Sequence, residues 1–399
     1  MANLRDITGK LALLCLGFFV AAIAAESVLR WLLTDLYVYQ NPRFEIESVH
    51  PADRGPTMRE PLLGAGLRYT DKPWHFGLKR DLRARLVSSE FDVAIRTNSE
   101  GLRGPEISSP KTRPRILGLG DSFAMGFGVE EDETYLSAIA GHWPSGPAEA
   151  INAGVVGYSP GNSFEFLMSA GLKLKPDLVL FQLWVVDDLC DGRSISRPIP
   201  VEALPPQRVW RERARQSHLA MFVRDRLRSV DYARDWFLRK GMAAPFPVVP
   251  LLDRRFELRC KGLVELVGML SEADRATRVA GGRLIVLLLP ASEQVYVGDW
   301  QRAVDYNLVR LDSTFVDLEA PNRFFTDTAR REGLEVIDAL GWLREHQVPD
   351  RLYFTGYDPH LTAAGHKVVG DLVYEHLFST PIDGSDSSSV FEHSPARVF

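Results

Sequence analysis

Four short apolar runs recur along the chain and predict the strands of a buried sheet. They are "RILGLG" (115–120), "EAINAG" (149–154), "DLVLFQLWV" (177–185) and "GGRLIVLLLP" (281–290). Runs that are apolar on both faces suit a parallel sheet that helices cover on either side. Segments with helical character separate the runs, so the pattern predicts an α/β fold.

A longer apolar run near the N-terminus predicts a transmembrane helix. "LALLCLGFFVAAIAA" (11–25) carries no charge and continues to residue 33, interrupted only by Glu26, Ser27 and Arg30. A membrane span needs about 20 apolar residues. Glu26 and Arg30 are four residues apart, so they can pair on one helix face near the far interface. Residues 1–10 carry basic side chains, which favours a cytoplasmic N-terminus and places the body on the periplasmic or extracellular side of a bacterial inner membrane.

The same run also fits a cleaved signal peptide, because Ala22-Ile23-Ala24 matches a small-x-small cleavage site. A buried core helix is disfavoured by the position at the extreme N-terminus. A span over residues 11–33 and a cleaved leader both predict an exported body.

The rest of the chain divides by composition. Residues 34–112 are rich in Pro, Arg and aromatic side chains and predict an irregular, β-containing lead-in, in which "FDVAIRTNSEGLRGPE" (91–106) alternates like a strand and ends in a turn. The α/β domain covers 113–379. Within it, the basic residues 192–258 predict a helical insertion, which either faces anionic lipid or an acidic polymer or forms an ordinary solvated helix face. The Ser-rich tail 380–399 is predicted to be disordered.

Composition excludes several classes of site. The net charge of −5 gives no global signal for nucleic-acid binding, and no GxxxxGK[ST] phosphate loop is present. The chain has 3 cysteines, without a CxxC pair, so no structural zinc site is predicted. Cys15 lies in the apolar run, which leaves Cys190 and Cys260 either as a disulfide or as two buried thiols. Neither a metal nor a cofactor is expected.

The turn Gly120-Asp121-Ser122, at the end of the first apolar run, raises a question of chemistry. A serine or an aspartate at a strand-to-helix junction is usually an N-cap, yet a serine there also exposes a hydroxyl at the tip of a parallel strand, where ligands bind. A serine nucleophile needs a base and a group that orients the base. In "YDPHLTAAGH" (357–366), Pro359 fixes a rigid turn from which Asp358 can hold His360 in the tautomer that accepts the proton of Ser122.

The chain has 9 histidines, and the other eight are weaker candidates. His50, His75 and His142 lie in loops or helices without a nearby acidic partner that suggests a site. His218 lies in the basic insertion, His346 near a helix end, His376 in the final helix and His393 in the tail, while His366 suits packing or capping.

Together these segments resemble the SGNH/GDSL hydrolases, a family of serine esterases. The family's first block resembles "GLGDSFAMGFG", its second "NAGVVGYSP" (152–160) and its last "DPHLTAAGH". The resemblance spans about 113 to 379 and implies a flavodoxin-like three-layer α/β/α sandwich. It implies Ser122 as the nucleophile, Asp358 as the acid, His360 as the base, and Ser122 and Gly157 as oxyanion donors. The turn "TNSEGLRGPE" and the N-terminal helix also resemble exported bacterial members that act on cell-surface polymers.

The third block departs from the family, which has Asn followed by Asp; this chain has Asp187 followed by Asp188. An ionised carboxylate offers no donor to an oxyanion, and the loss of one donor costs about 10²–10³ in kcat. Asp187 is therefore either protonated through burial and able to donate, or turned away from a hole made by Ser122 and Gly157, or the mark of an impaired site.

The resulting hypothesis is a membrane-anchored extracytoplasmic esterase. It would hydrolyse or transfer acyl groups, such as acetyl, on a cell-surface polysaccharide or a related small ester, and it would bind no nucleic acid. The alternative is a catalytically impaired carbohydrate-binding or assembly subunit of a polysaccharide export system. Asp187 is the feature that favours this alternative. A lipase with a lid from residues 192–258 is disfavoured because that segment is so basic.

Overall fold

A computed structural model describes ten ranges of the chain. These are residues 2–32, 43–54, 66–88, 90–190, 192–197, 217–220, 222–223, 260–305, 316–354 and 359–378. The predicted insertion, the predicted tail and Asp358 thus lie largely or wholly outside the described residues.

Ten strands and ten helices are described, besides short 3₁₀ turns. The strands are β1 (Arg43–Ser48), β2 (Leu67–Tyr69), β3 (Phe76–Leu78), β4 (Arg83–Val87), β5 (Asp92–Arg96), β6 (Arg115–Leu119), β7 (Glu149–Asn152), β8 (Leu178–Trp184), β9 (Arg283–Leu289) and β10 (Val336–Asp338). The helices are α1 (Ala2–Leu32), α2 (Ser122–Met125), α3 (Tyr135–Gly141), α4 (Pro160–Ser169), α5 (Leu263–Val279), α6 (Ser292–Val295), α7 (Val297–Asp305), α8 (Ala320–Arg331), α9 (Leu340–Glu345) and α10 (Ala363–Phe378).

The main sheet is parallel and has five strands in the order β7-β6-β8-β9-β10. Strands β6 and β8 are buried at every position, which explains their continuously apolar sequences. Helix α3 packs against α10, while α5 packs against α4 and α8, so helices form a layer on each side. This confirms the predicted three-layer α/β/α fold. The strand order reverses between β6 and β8, where ligands bind in open α/β sheets.

The lead-in forms its own small sheets, which pack against the main domain. Strands β1, β4 and β5 make an antiparallel sheet in the order β1-β4-β5, and β2 pairs with β3. Their apolar side chains share a core with Met125, Phe127, Val155 and Tyr158 of the main domain. The lead-in therefore lies against the segments that follow β6 and β7, at the carboxyl edge of the parallel sheet.

Helix α1 is long and apolar enough to cross a membrane over Gly9–Leu32, where the mean hydropathy is 2.2. The predicted pair forms, since Arg30 Nε donates to Glu26 Oε1 at 2.8 Å. Glu26 also accepts hydrogen bonds from the Ser217 hydroxyl at 2.8 Å and from the backbone N–H of Leu219 at 2.8 Å. Residues 218–220 and 222–223 are helical. Glu26 thus caps a helical turn of the insertion.

Cys190 and Cys260 form a disulfide, the first of the two alternatives that the sequence leaves open. The bond joins the turn that follows β8 to the residues that lead into α5. Cys15 is free and exposed on α1.

Candidate active site

Ser122 begins helix α2 directly after β6, at the carboxyl edge of the sheet. Its neighbour Asp121 is the N-cap, because Asp121 Oδ1 accepts a hydrogen bond from the backbone N–H of Phe123 at 2.8 Å. The turn needs glycine at position 120, where φ is +146° and a Cβ would lie 2.2 Å from Gln182 Oε1. The cap therefore falls to Asp121, and the hydroxyl of Ser122 is left for another partner.

That partner is His360. Its Nε2 lies 2.6 Å from Ser122 Oγ, although 238 residues separate the two in sequence. The imidazole packs against two rings of the segment 122–127, with centroid distances of 4.7 Å to Phe123 and 4.5 Å to Phe127. These contacts restrict the ring orientation, so Nε2 stays directed at the hydroxyl. With the proton on Nδ1, Nε2 can accept the serine proton.

Asp358, the predicted orienting acid, lies outside the described residues. The structure therefore leaves the third member of the predicted triad as a prediction. Pro359 and His360 are described and lie just before α10, where the backbone N–H of Phe354 donates to the His360 carbonyl at 3.1 Å. This bond ties the histidine turn to the end of the preceding segment.

A second carboxyl group belongs to this region. Burial raises the pKa of Asp121 to about 6, against the hydrogen bond from Phe123 and the electrostatic interaction with His360, and the charge of Asp187 raises it further. The sequence indicates Asp121 only as a cap. Its burial and its charged neighbours come from segments distant in sequence, so no local pattern indicates them.

Gly157 lies in the turn between β7 and α4, exposed, with φ at +78°. A side chain at this left-handed conformation would be strained, so glycine suits the position. The start of this turn lies against the segment that carries Ser122, because the Val155 N–H donates to the Gly120 carbonyl at 3.3 Å. The Asn152 amide also donates to the Ala124 carbonyl at 2.9 Å. The turn that carries Gly157 thus begins beside Ser122.

Asp187 lies in the turn that follows β8, the strand that pairs with β6 where the strand order reverses. The side chain is exposed, so burial gives no reason for it to be protonated. Asp188, in contrast, is buried and accepts the backbone N–H of Trp184 at 2.6 Å. Of the three alternatives for Asp187, protonation through burial therefore loses its physical basis, and the other two remain.

His366 does not belong to the site as a base. It is buried, its Nδ1 accepts a hydrogen bond from the backbone N–H of Tyr135 at 3.3 Å, and burial lowers its pKa to about 3. It holds α10 against α3. Among the residues that the structure describes, no group of three or more His, Cys, Asp or Glu is arranged to hold a metal ion.

No family model matches the chain, and no curated protein matches it. Comparison with solved structures does return matches. The chain is similar to TesA (14% identity, TM-score 0.36, covering 66% of this chain and 98% of that one). It is also similar to a member of the lipolytic protein G-D-S-L family from Veillonella parvula (12%, 0.35, covering 66% and 98%) and to a catalytic variant of Axe2, an acetylxylan esterase from Geobacillus stearothermophilus (14%, 0.35, covering 66% and 94%).

Because the TM-scores are below 0.5, the conclusions about activity depend on the residues and distances of the site itself.

Proposed function

We propose that the protein is a membrane-anchored serine hydrolase of carboxylic esters, with Ser122 as nucleophile and His360 as general base. The observation that carries the proposal is the 2.6 Å contact between Ser122 Oγ and His360 Nε2 at the carboxyl edge of a parallel sheet. Hydrogen-bond reach between nucleophile and base is the geometric requirement of this chemistry. Asp358 is proposed as the group that orients His360.

The reaction proceeds through an acyl-enzyme. Ser122 Oγ attacks the ester carbonyl while His360 Nε2 takes its proton, and the resulting imidazolium protonates the departing alcohol. Water then attacks the acyl group on Ser122 with His360 again as base, which releases the acid and restores the serine. The backbone N–H groups of Ser122 and Gly157 are proposed as the donors to the oxyanion. Transfer of the acyl group to a sugar hydroxyl would use the same residues.

The decisive experiment uses a fluorophosphonate probe on the full chain in detergent. Wild type is expected to be labelled, and Ser122→Ala is expected to lose the label. Ser292→Ala is the matched control, because Ser292 begins α6 after β9, at the equivalent junction of another strand. A folded wild type that stays unlabelled would contradict the esterase proposal.

A second candidate is a binding or assembly subunit that has lost its activity. The exposed Asp187 favours it, because its charge acts on Asp121, the neighbour of Ser122, and a negative charge near the proposed oxyanion hole opposes the developing oxyanion. Binding of acetylated oligosaccharide by an unlabelled wild type would support this candidate over the esterase.

We further propose that α1 stays attached as a membrane anchor and that the body acts on acyl esters, such as acetyl groups, of a cell-surface polysaccharide. The contacts of Glu26 support retention, since cleavage after Ala24 would leave Glu26 as the second residue of the mature chain. The capping of residues 217–219 would then depend on a frayed end. Mass spectrometry of the protein from the membrane fraction is expected to find residues 1–24. A mature chain that begins at Ala25 would contradict retention.

A further inference from the structure

The turn "TNSEGLRGPE" (97–106) of the lead-in has no role in the proposed reaction, yet its backbone is held closely. Asn98 Oδ1 accepts the backbone N–H groups of Glu100 and Leu102, each at 3.0 Å. Thr97 Oγ1 donates to the Lys79 carbonyl at 2.6 Å. The turn therefore presents Arg103 in one defined direction.

The guanidinium of Arg103 binds the segment that follows the nucleophile. Its Nη1 donates to the carbonyls of Met125 at 2.7 Å and Gly126 at 2.5 Å, and its Nη2 donates to the carbonyl of Val129 at 2.7 Å. The first two carbonyls belong to the C-terminal end of α2, where a positive charge is favourable. Arg103 thus connects three carbonyls within one short segment.

Arg103 is only 3% exposed, so its guanidinium loses the solvation that water would give it. Burial lowers the pKa of Arg103 to about 10, and the acidic residues Glu131, Glu130 and Glu133 oppose that shift. The main chain of the lead-in adds a further tie, since the Arg103 N–H donates to the Asn152 carbonyl at 3.1 Å. Because this buried guanidinium donates hydrogen bonds to the carbonyls of residues 125–129, it fixes the position of that loop.

The loop in question leads directly to the base. Phe127, between the carbonyls that Arg103 binds, forms one of the two rings around the His360 imidazole, at 4.5 Å. The ring of Phe127 is also 5.5 Å from the ring of Phe91 of the lead-in. A shift of residues 125–129 therefore moves one wall of the histidine site.

We propose that Arg103 is a positioning residue, which holds residues 125–129 so that Phe127 keeps His360 aligned with Ser122. This inference rests on the proposed function for its effect on rate. It assigns the lead-in turn a part in the reaction, besides its packing. Catalysis is sensitive to such placement, since a shift of about 1 Å can cost about 10²-fold in rate.

Arg115 provides a matched control at the opposite end of β6. It too is buried, at 6% exposure, and its guanidinium donates to the Leu174 carbonyl at 2.7 Å and to Glu149 Oε2 at 2.6 Å. Arg103→Lys and Arg115→Lys keep the charge and lose the fork of donors. Both variants are expected to lower the melting temperature, so stability alone does not separate them.

The test compares the two variants in the full chain in detergent. Arg103→Lys is expected to lower the fluorophosphonate labelling rate of Ser122 about 10–100-fold, and Arg115→Lys to change it less than about 2-fold. The peptide that covers residues 123–129 is expected to exchange its amide hydrogens faster in Arg103→Lys only. The imidazole proton resonances of His360, assigned with His360→Gln, are expected to change chemical shift in Arg103→Lys only, because the ring of Phe127 lies 4.5 Å from the imidazole.

The outcomes separate this inference from the proposed function. Equal labelling rates in Arg103→Lys and Arg115→Lys would overturn the inference and leave the esterase in place. If wild type is not labelled at all, the proposed function fails, and the amide exchange and the His360 chemical shifts decide about Arg103. An unchanged exchange rate and unchanged His360 chemical shifts in Arg103→Lys would overturn the positioning role in that case too.

Discussion

The two sides of the candidate site are built by different means. On the base side, Ser122 and His360 are in contact, and the imidazole is enclosed by Phe123 and Phe127. On the oxyanion side, Gly157 and Asp187 are exposed, and each lies in a turn. Close packing fixes the first side, whereas hydrogen bonds and a covalent bond fix the second. For the proposed reaction, the difference means that Ser122 and His360 are already in contact, whereas the stabilisation of the oxyanion depends on exposed turns that a substitution can change.

The largest expected effect comes from breaking the base side. His360→Gln removes the acceptor of the serine proton and leaves the Phe123 and Phe127 walls in place. We expect kcat for ester hydrolysis to fall by about 10⁴-fold or more. Steady-state kinetics on short-chain aryl esters would measure the fall, with His376→Gln as control, because His376 binds Glu335 on a different part of the surface. A loss of less than about 10-fold would remove His360 from the reaction.

The next largest effect is expected on stability, from removal of the disulfide beside the turn of Asp187. The Cys190–Cys260 disulfide closes a stretch with a sequence separation of 70 and holds the turn that carries Asp187. Replacing both cysteines by serine is expected to lower the free energy of unfolding by about 2–4 kcal/mol. Thermal unfolding in detergent would measure the loss. Cys15→Ser is the control, and an equal melting temperature in all three proteins would contradict a stabilising role of the bond.

Features that arise within one short segment can be predicted from the sequence, whereas most contacts between distant segments cannot. The four apolar runs predict β6 to β9, since each run is long enough to show its pattern. Strand β10 spans only Val336–Asp338, and three residues give no period. The contact of Ser122 with His360 is predictable because each lies in a recognisable block.

The walls of the histidine and the role of Arg103 are not predictable in this way. They join side chains that are hundreds of residues apart, or that come from the lead-in, and nothing in the local spacing pairs them. The disulfide is one of two alternatives for the same reason, since sequence alone does not give a distance between Cys190 and Cys260.

Asp121 lies between the two sides and gives a pH-dependent prediction. Its pKa is about 6 in the folded protein, above the ordinary 3.8, so folding favours the protonated carboxyl. The associated stability is fully present below pH 3.8 and is lost as the pH rises through about 6. Asp121→Asn keeps a capping side chain and removes this loss. Its melting temperature is expected to exceed that of wild type by about 2–6 °C at about pH 8, with the gap closing in acid.

Asp53→Asn is the opposite control for this measurement. Hydrogen bonds from Arg80 lower the pKa of Asp53 despite its burial, so ionisation of this carboxyl stabilises the fold. The variant should be less stable than wild type at about pH 8, and its deficit should shrink as the pH falls below 3.8. If Asp121→Asn instead follows the course of Asp53→Asn, the raised pKa of Asp121 is wrong.

The smallest effect is expected at Asp187, where a carboxylate stands in place of a hydrogen-bond donor. Asp187→Asn replaces an exposed carboxylate by an amide that can donate, and it removes a negative charge from beside Asp121. We expect kcat/KM at about pH 8 to rise about 10-fold, since added donors act on the transition state more than on the bound ester. Asp188→Asn is the matched control, because Asp188 accepts the Trp184 N–H and is expected to lose stability without a gain in rate. A fall in kcat/KM in Asp187→Asn would mean that the carboxylate serves the reaction, and the oxyanion side would then be as complete as the base side.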